Sequence, residues 1–128
     1  MVIRELERVK QKIVIFVDPS LSIDIAYTKE LSRKMSNLNK RFACFVNINV
    51  ANDEEFLKLA SEAGCIAFSI GFETLPDSAM RRLSKLPKEV EVYRKVVERI
   101  HDHGITVLAS FAFGFDDDKK DVFENSVV

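Results

Sequence analysis

Four short apolar runs alternate along the chain with segments in which apolar residues recur every three or four positions. The runs are KIVIFVD (12–18), RFACFVNIN (41–49), CIAFSIGFE (65–73) and GITVLASFAFGF (104–115). The intervening stripes are Tyr27, Leu31, Met35, Leu38; Phe56, Leu59, Ala60, Ala63; and Tyr93, Val96, Val97, Ile100. Each stripe predicts a helix with one face to bury, and each run predicts a strand. The alternation predicts an α/β fold of about four units with parallel strands, because tight hairpins cannot join parallel neighbours.

Local signals mark the predicted boundaries between these elements. Asn52 and Glu55 have the spacing of a capping box before the second of the three helices. Gly64 and Gly104 each stand between a helical stripe and a strand, where a left-handed residue commonly ends a helix. We therefore expect the same helix-to-strand joint to be used twice.

The third run shows two different faces, which bears on the choice between an open sheet and a barrel. Its bulky residues are Ile66, Phe68, Ile70 and Phe72, whereas Cys65, Ala67, Ser69, Gly71 and Glu73 form the other face. A doubly wound sheet is covered by helices on both sides, which favours strands that are apolar throughout. A β/α barrel is bulky toward its helices and gathers polar groups inside, at the carboxyl ends of its strands. The pattern favours a partial TIM-like (β/α) barrel, a half-barrel formed as one domain by residues 1–128.

Polar residues end the predicted strands on the face that would line the barrel. The candidate binding residues are Asp18, Asn47, Asn49, Ser69, Glu73 and Ser110. Carboxylates accept hydrogen bonds from hydroxyls such as a ribose diol, and amides bind without charge, so these groups suit binding better than acid–base catalysis. We assign no catalytic residue.

Structural roles remain open for the same residues. Glu73 could complement the amino end of a following short helix, SAMRRLSK (78–85), and the two asparagines could be structural amides. Asp18 stands before Pro19 and could form a turn, with Ser22 or Asp24 capping the next helix.

Charge and hydropathy exclude several classes of partner. The chain has 19 basic and 20 acidic residues, a formal net charge of -1 and no long block of either sign. This balance gives no electrostatic footprint for nucleic acid or an anionic membrane. The charged start MVIRELERVKQK is unlike a secretory signal, and no stretch approaches the roughly 20 apolar residues of a membrane span. We expect a cytoplasmic protein.

The two cysteines, Cys44 and Cys65, lie inside apolar runs and predict buried thiols. One cysteine pair without a companion histidine cannot complete a four-ligand zinc site or hold an iron–sulfur cluster, so we assign no metal ligand. The DDDKKD run (116–121) lacks the alternating ligands of a calcium loop and predicts a solvated loop.

Three segments together resemble the middle of a radical S-adenosylmethionine (radical SAM) enzyme core, particularly the group that carries a B12-binding domain before the barrel. They are IVIFVDPSLSID, EAGCIAFSIGFETL and HDHGITVLASFAFGFDDDKKDVFENS, and the resemblance runs from about Lys12 to Phe123. In that family a Cys-x3-Cys-x2-Cys loop after the first barrel strand holds a [4Fe-4S] cluster, whose open iron binds the amino and carboxylate groups of S-adenosylmethionine. That cysteine motif is absent from this sequence.

The resemblance implies positions and roles for the strands. They would be the second to fifth of the family barrel, with Asp18 near the methionyl amino group and Glu73 near the ribose hydroxyls. Ser110 would lie near the carboxylate or the adenine. The Asp-Pro-Ser at 18–20 departs from the Asp-Asp-Asn of the family pattern.

The resemblance thus implies a truncated radical SAM core that keeps part of the S-adenosylmethionine site, lacks the [4Fe-4S] loop and is inactive alone. The alternative is a non-catalytic half-barrel module that self-assembles or binds a small ligand. A third hypothesis, a small hydrolase or isomerase using Glu73 and Asp18, has no distinctive nucleophile to support it. A half-barrel exposes strand edges and its inner face, so we expect a homodimer or a higher oligomer.

Overall fold

The computed structural model describes residues 1–72 and 86–110, with side chains described from residue 92 onward in the last helix. The elements are, in order, α1 (Val2–Arg8), β1 (Ile13–Phe16), α2 (Ile25–Met35), β2 (Arg41–Phe45), α3 (Glu54–Glu62), β3 (Cys65–Gly71), α4 (Leu86–Asp102) and β4 (Thr106–Ser110). Short 3-10 helices, Leu21–Ile23 and Ile48–Asn52, follow β1 and β2. The predicted alternation of strands and helices is confirmed over these residues.

The four strands form one parallel sheet in the order β1-β2-β3-β4. Each strand therefore pairs with the next strand along the chain. In a doubly wound sheet the order of the strands instead reverses at a switch point, which places strands that are not consecutive in the chain side by side. The sequential order confirms the prediction of a partial β/α barrel.

β1 and β2 are shorter at their carboxyl ends than the apolar runs predicted. β1 ends at Phe16 and β2 at Phe45, so Asp18, Asn47 and Asn49 follow their strands instead of belonging to them. The alternation through VNINV resembles a strand, but from Ile48 the chain turns as a 3-10 helix. In the fourth run the described strand reaches Ser110, and the predicted continuation to residue 115 lies outside the described residues.

Aspartates cap the amino ends of α2 and α3. The Asp24 carboxylate accepts a hydrogen bond from the Tyr27 N–H, and the Asp53 carboxylate accepts one from the Phe56 N–H, both at 2.9 Å. The predicted cap at Asn52 is therefore wrong by one residue, because Asn52 is the last residue of the preceding 3-10 helix. Of the two caps considered for α2, Ser22 and Asp24, the structure has Asp24.

Both predicted glycine joints are confirmed. Gly64 and Gly104 adopt φ values of +94° and +72°. An added Cβ at Gly64 would collide with the Lys40 carbonyl oxygen, whereas at Gly104 nothing lies within 4 Å. The first joint therefore requires glycine for both conformation and space.

The core lies between the helices and one face of the sheet. Phe42 and Phe68 from the strands belong to the same buried cluster as Met35, Phe56 and Ile100 from the helices. Phe56 and Phe68 stack with ring centroids 5.8 Å apart. The amphipathic stripes read from the sequence thus cover one side of the sheet, except that Tyr27, predicted as part of the first stripe, is 50% exposed.

The opposite side of the sheet, called here the open face, presents side chains in rows set by the strand register. One row is Ile15, Ala43, Ala67, Thr106, the next is Phe45, Ser69, Leu108, and a third contains Gly71 and Ser110. Ile15 is 66% exposed, Phe45 41% and Leu108 56%. Small residues on β3 and exposed apolar residues on its neighbours fit the inner face of a barrel.

Cys44 and Cys65 are both buried and free, as predicted. The alternation placed Cys65 on the face of Ala67, but the structure buries it beside Cys44. The pairing register between β2 and β3 shifts between Phe42 and Ala43, which breaks the alternation at that point. The hydrogen bond with Cys44 and then burial raise the pKa of the Cys65 thiol, so it stays protonated.

None of the helices within residues 1–72 and 86–110 has the length and hydrophobicity to cross a membrane. The longest among them, α4, has 17 residues and pairs exposed charges such as Arg94 with Glu98.

Candidate functional site

The carboxyl ends of parallel strands share one edge of a sheet, and ligands of β/α folds bind at that edge. Five of the six candidate residues are described: Asp18, Asn47, Asn49, Ser69 and Ser110. We call these five residues the strand-end surface. The sixth, Glu73, lies outside the described residues.

The loop after β1 is tied to the end of β2 by two serines. Ser22 Oγ accepts a hydrogen bond from the Asn47 backbone N–H at 2.9 Å. The Asn47 amide nitrogen Nδ2 donates to Ser20 Oγ at 3.4 Å, and the two serine hydroxyls are 3.0 Å apart. These contacts hold Asn47 by both its backbone and its side chain.

A cleft of about 190 Å³ opens beside this serine pair. Its lining residues are Ser22, Ile25, Asn47, Asn49, Val50 and Asp53. The structure thus brings Asn47 and Asn49 together, with an apolar contribution from Ile25 and Val50. Such a lining can hydrogen-bond a neutral polar group while contacting an apolar one.

The carboxylate of the cleft is paired with a lysine. Lys29 Nζ lies 2.9 Å from Asp53 Oδ2 and 2.8 Å from Glu55 Oε2, and Arg33 adds a contact of 2.7 Å to Glu55. Hydrogen bonds to Glu55 and Asp53 raise the pKa of Lys29. Lys29, followed by the Phe56 N–H, lowers the pKa of the Asp53 carboxyl despite partial desolvation. Asp53 is therefore ionised at neutral pH and its charge is balanced by Lys29.

Ser69 and Ser110 lie on the open face in adjacent rows. Ser69 is in register with Phe45 and Leu108, and Ser110 is in register with Gly71. The Ser69 carbonyl accepts from the Val46 N–H at 3.1 Å. Their backbone groups build the sheet, which leaves the side chains on the face that would line a barrel.

Asp18 is exposed two residues beyond the end of β1. Within residues 1–72 and 86–110, no hydrogen bond or ion pair joins its carboxylate to another group. The contacts described above connect Asn47 and Asn49 with the first loop, but they do not connect Asp18 with the cleft.

Sequence reasoning missed the role of Ser20 and Ser22 and the place of Asp53 in the cleft. The sequence indicates Ser22 only as a helix cap, because its partner Asn47 lies 25 residues away. The Ser-Leu-Ser spacing after a predicted turn was the available signal, because hydroxyls in such loops often bind nearby backbone groups.

The described residues offer no metal site: no group of three or more His, Cys, Asp or Glu side chains is placed to hold an ion.

Comparison with known proteins relates this fold and its strand-end surface to one family. The model of the Radical SAM superfamily matches residues 1–127. The bacteriochlorophyllide d C-12(1)-methyltransferase of Chlorobaculum tepidum is 33% identical over 109 residues, which cover 85% of this chain and 24% of the relative. The chain thus spans about a quarter of the length of the curated relative that it matches. With the family model covering nearly every residue, the resemblance read from the sequence is confirmed, and the chain belongs to the Radical SAM superfamily.

Proposed function

We propose that this chain is part of a radical SAM enzyme core and contributes the strand-end surface to the binding of S-adenosylmethionine. The observation that supports this most is the meeting of Asn47 and Asn49 in one cleft at the carboxyl edge of the sheet. That edge is where β/α barrels bind their ligands.

The chemistry of the described residues suits S-adenosylmethionine. The cofactor presents an amino and a carboxylate group, a ribose diol and an adenine. The asparagines offer amide donors and acceptors, Ser69 and Ser110 offer hydroxyls, and Asp18 offers an exposed carboxylate. By resemblance to the family, Asp18 would face the amino group and Ser110 the carboxylate or the adenine, while Glu73, outside the described residues, would face the ribose.

The [4Fe-4S] cluster of the family does not fit the cysteines of this chain. The sequence has two cysteines, and both are buried in strands. Cluster ligation needs thiolates, whereas the contact with Cys44 and burial hold the Cys65 thiol in its protonated form. We therefore propose that this chain alone does not cleave S-adenosylmethionine reductively, and that a cluster would require other cysteines.

Titration calorimetry of the purified chain with S-adenosylmethionine and S-adenosylhomocysteine tests the binding proposal. We expect saturable binding of both ligands, because they share the ribose, the adenine and the amino acid. Absence of heat at protein concentrations up to the millimolar range would contradict the proposal.

Anaerobic reconstitution with iron and sulfide tests the statement about the cluster separately. We expect no stable charge-transfer absorption in the visible spectrum. A stable [4Fe-4S] spectrum from this chain would show that its two cysteines can hold a cluster after all.

A second candidate, a non-catalytic half-barrel that self-associates, is favoured by the exposed apolar residues of the open face. Ile15, Phe45 and Leu108 occupy two adjacent rows on three strands. Apolar surfaces of this kind mark interaction sites, and two-fold dimers are the commonest assembly. We propose that a second copy of the chain covers the open face.

Light scattering tests this second candidate. We expect a dimer or a larger oligomer, and a monodisperse monomer would contradict it. Ile15→Lys should weaken the association, since it places a charge on the open face. Ile23→Lys is the matched control because Ile23 is 79% exposed in the first 3-10 helix and not on the sheet.

A further inference from the structure

Just after β2, a side chain accepts a backbone hydrogen bond that a carbonyl of the neighbouring strand would otherwise accept. The Val46 N–H donates to the Ser69 carbonyl on the β3 side of the sheet. Successive residues of a strand direct their backbone groups to opposite neighbours, so the Asn47 N–H points toward the β1 side. β1 has already ended at Phe16, and the acceptor there is Ser22 Oγ at 2.9 Å. A serine hydroxyl thus replaces a missing strand carbonyl.

The same serine pair also contacts the Asn47 side chain. Nδ2 of Asn47 donates to Ser20 Oγ, whose hydroxyl is 3.0 Å from that of Ser22. Asn47 precedes the 3-10 helix Ile48–Asn52 but makes no side-chain capping bond to it. Within the described part of the chain its Oδ1 atom has no hydrogen-bond partner, and Asn47 lines the cleft. The serines therefore fix this residue while leaving an acceptor for a ligand.

We propose that Ser22 is a positioning residue for Asn47 in the S-adenosylmethionine site. The inference rests on the proposed function. Ser22 holds the Asn47 backbone at the mouth of the cleft. Through its contact with Ser20, Ser22 also restricts the orientation of the Asn47 side-chain amide. A ligand then meets an amide whose orientation is set before binding, which reduces the ordering cost of the complex.

The test compares Ser22→Ala with Ser22→Thr, which restores a hydroxyl. Ser36→Ala is the matched control, since Ser36 Oγ donates to the Arg33 carbonyl at the far end of α2. Calorimetry measures the Kd for S-adenosylhomocysteine, and hydrogen exchange measures the protection of the Asn47 backbone N–H. Thermal unfolding verifies that each variant folds.

Ser22→Ala should weaken binding and speed exchange at Asn47, each by about fivefold, the effect of losing one neutral hydrogen bond. Ser22→Thr should restore both quantities to near the wild-type values. Ser36→Ala should change neither, because its hydroxyl does not contact the carboxyl edge.

The outcomes separate this inference from the proposed function. No binding by the wild-type chain overturns the proposed function and with it the role of Ser22 in binding. Binding by the wild type that Ser22→Ala leaves unchanged overturns the positioning role alone, even if exchange at Asn47 becomes faster. Failure of Ser22→Thr to restore affinity also overturns it, because the hydroxyl would not then be the group that matters.

Discussion

The two edges of the sheet are built by different means. At the amino edge, the connections into β3 and β4 are short, residues 63–64 and 103–105, and turn at Gly64 and Gly104 with positive φ. Lys40 reinforces this edge by donating to the carbonyls of Val9 and Gln11. Backbone geometry and backbone acceptors dominate there.

At the carboxyl edge, the connections after β1 and β2 are long, residues 17–24 and 46–53, and each contains a 3-10 helix. They are joined by the side chains of Ser20, Ser22 and Asn47. The difference suggests that substitutions at the amino edge change stability, whereas substitutions at the carboxyl edge change ligand binding with little effect on stability.

The largest expected effect is on stability, at Gly64. Gly64→Ala forces a Cβ against the Lys40 carbonyl in a left-handed residue, and we expect a loss of about 3 kcal/mol in unfolding free energy. Gly104→Ala is the control, also at a positive φ but with open space around the added Cβ, and should cost about 1 kcal/mol. Urea titrations measure both. Equal losses would show that the close approach at Gly64 is not important.

The second largest expected effect is a loss of stability on replacing Lys40 at the amino edge. Lys40→Met removes a charged donor from two backbone carbonyls near the end of α1, and we expect a loss of about 1.5 kcal/mol. Lys34→Met, which removes only an exposed pair with Glu30 within α2, should cost less. Denaturant unfolding of the two variants gives the difference, and a larger loss at Lys34 would contradict the structural role of Lys40.

At the carboxyl edge we expect the opposite signature. Asn47→Ala should weaken S-adenosylhomocysteine binding about fivefold, the effect of one lost hydrogen bond, while the unfolding midpoint stays near that of the wild type. Asn37→Ala, an exposed asparagine between α2 and β2, should leave the calorimetric Kd unchanged. A large loss of stability in Asn47→Ala without a change in affinity would show that the carboxyl edge, like the amino edge, serves stability and not binding.

The smallest expected effect is a pH dependence at Asp53. Its pKa in the folded protein lies below the ordinary value of 3.8, chiefly through Lys29, so its ionised form stabilises the fold. That contribution is complete above pH 3.8 and disappears as the pH falls through the lower folded value. Asp53→Asn keeps a capping oxygen but removes the charge.

Urea midpoints of the wild type and Asp53→Asn should therefore differ slightly at pH 7 and converge in acid. The raised pKa of Lys29 keeps the lysine charged throughout this range. Added salt should shrink the difference at pH 7, because the pair is close to solvent. A difference that persists in acid would assign the effect to the cap and not to the charge.

Much of the fold could be predicted because its signals are local. The helical stripes around Leu31, Phe56 and Ile100 and the glycines at both helix-to-strand joints follow from spacing within a few residues. The small and polar face of β3 also follows from period-two alternation, and it favours a barrel independently of the strand order. These features need no information about distant partners.

The errors arose where two local patterns compete or where a distant contact decides. VNINV fits a strand as well as a turn, and the structure ends β2 before it. Asp53 rather than Asn52 caps α3 because the 3-10 helix extends one residue further than the pattern suggested. Cys65 does not lie on its predicted face, because the pairing register between β2 and β3 shifts near it. Ser22 could not be placed at the site from the sequence, because its partner Asn47 follows β2, 25 residues further along the chain.

The strand order, which follows chain order, also bears on how the sheet assembles during synthesis. Among the described strands, β2, β3 and β4 each pair with the strand made just before them, so after β1 each new strand finds a partner already synthesised. Contacts between segments close in sequence cost little loop-closure entropy and favour fast folding. These four strands can therefore pair one after another as the chain leaves the ribosome, β2 with β1 while the residues that follow are still being translated.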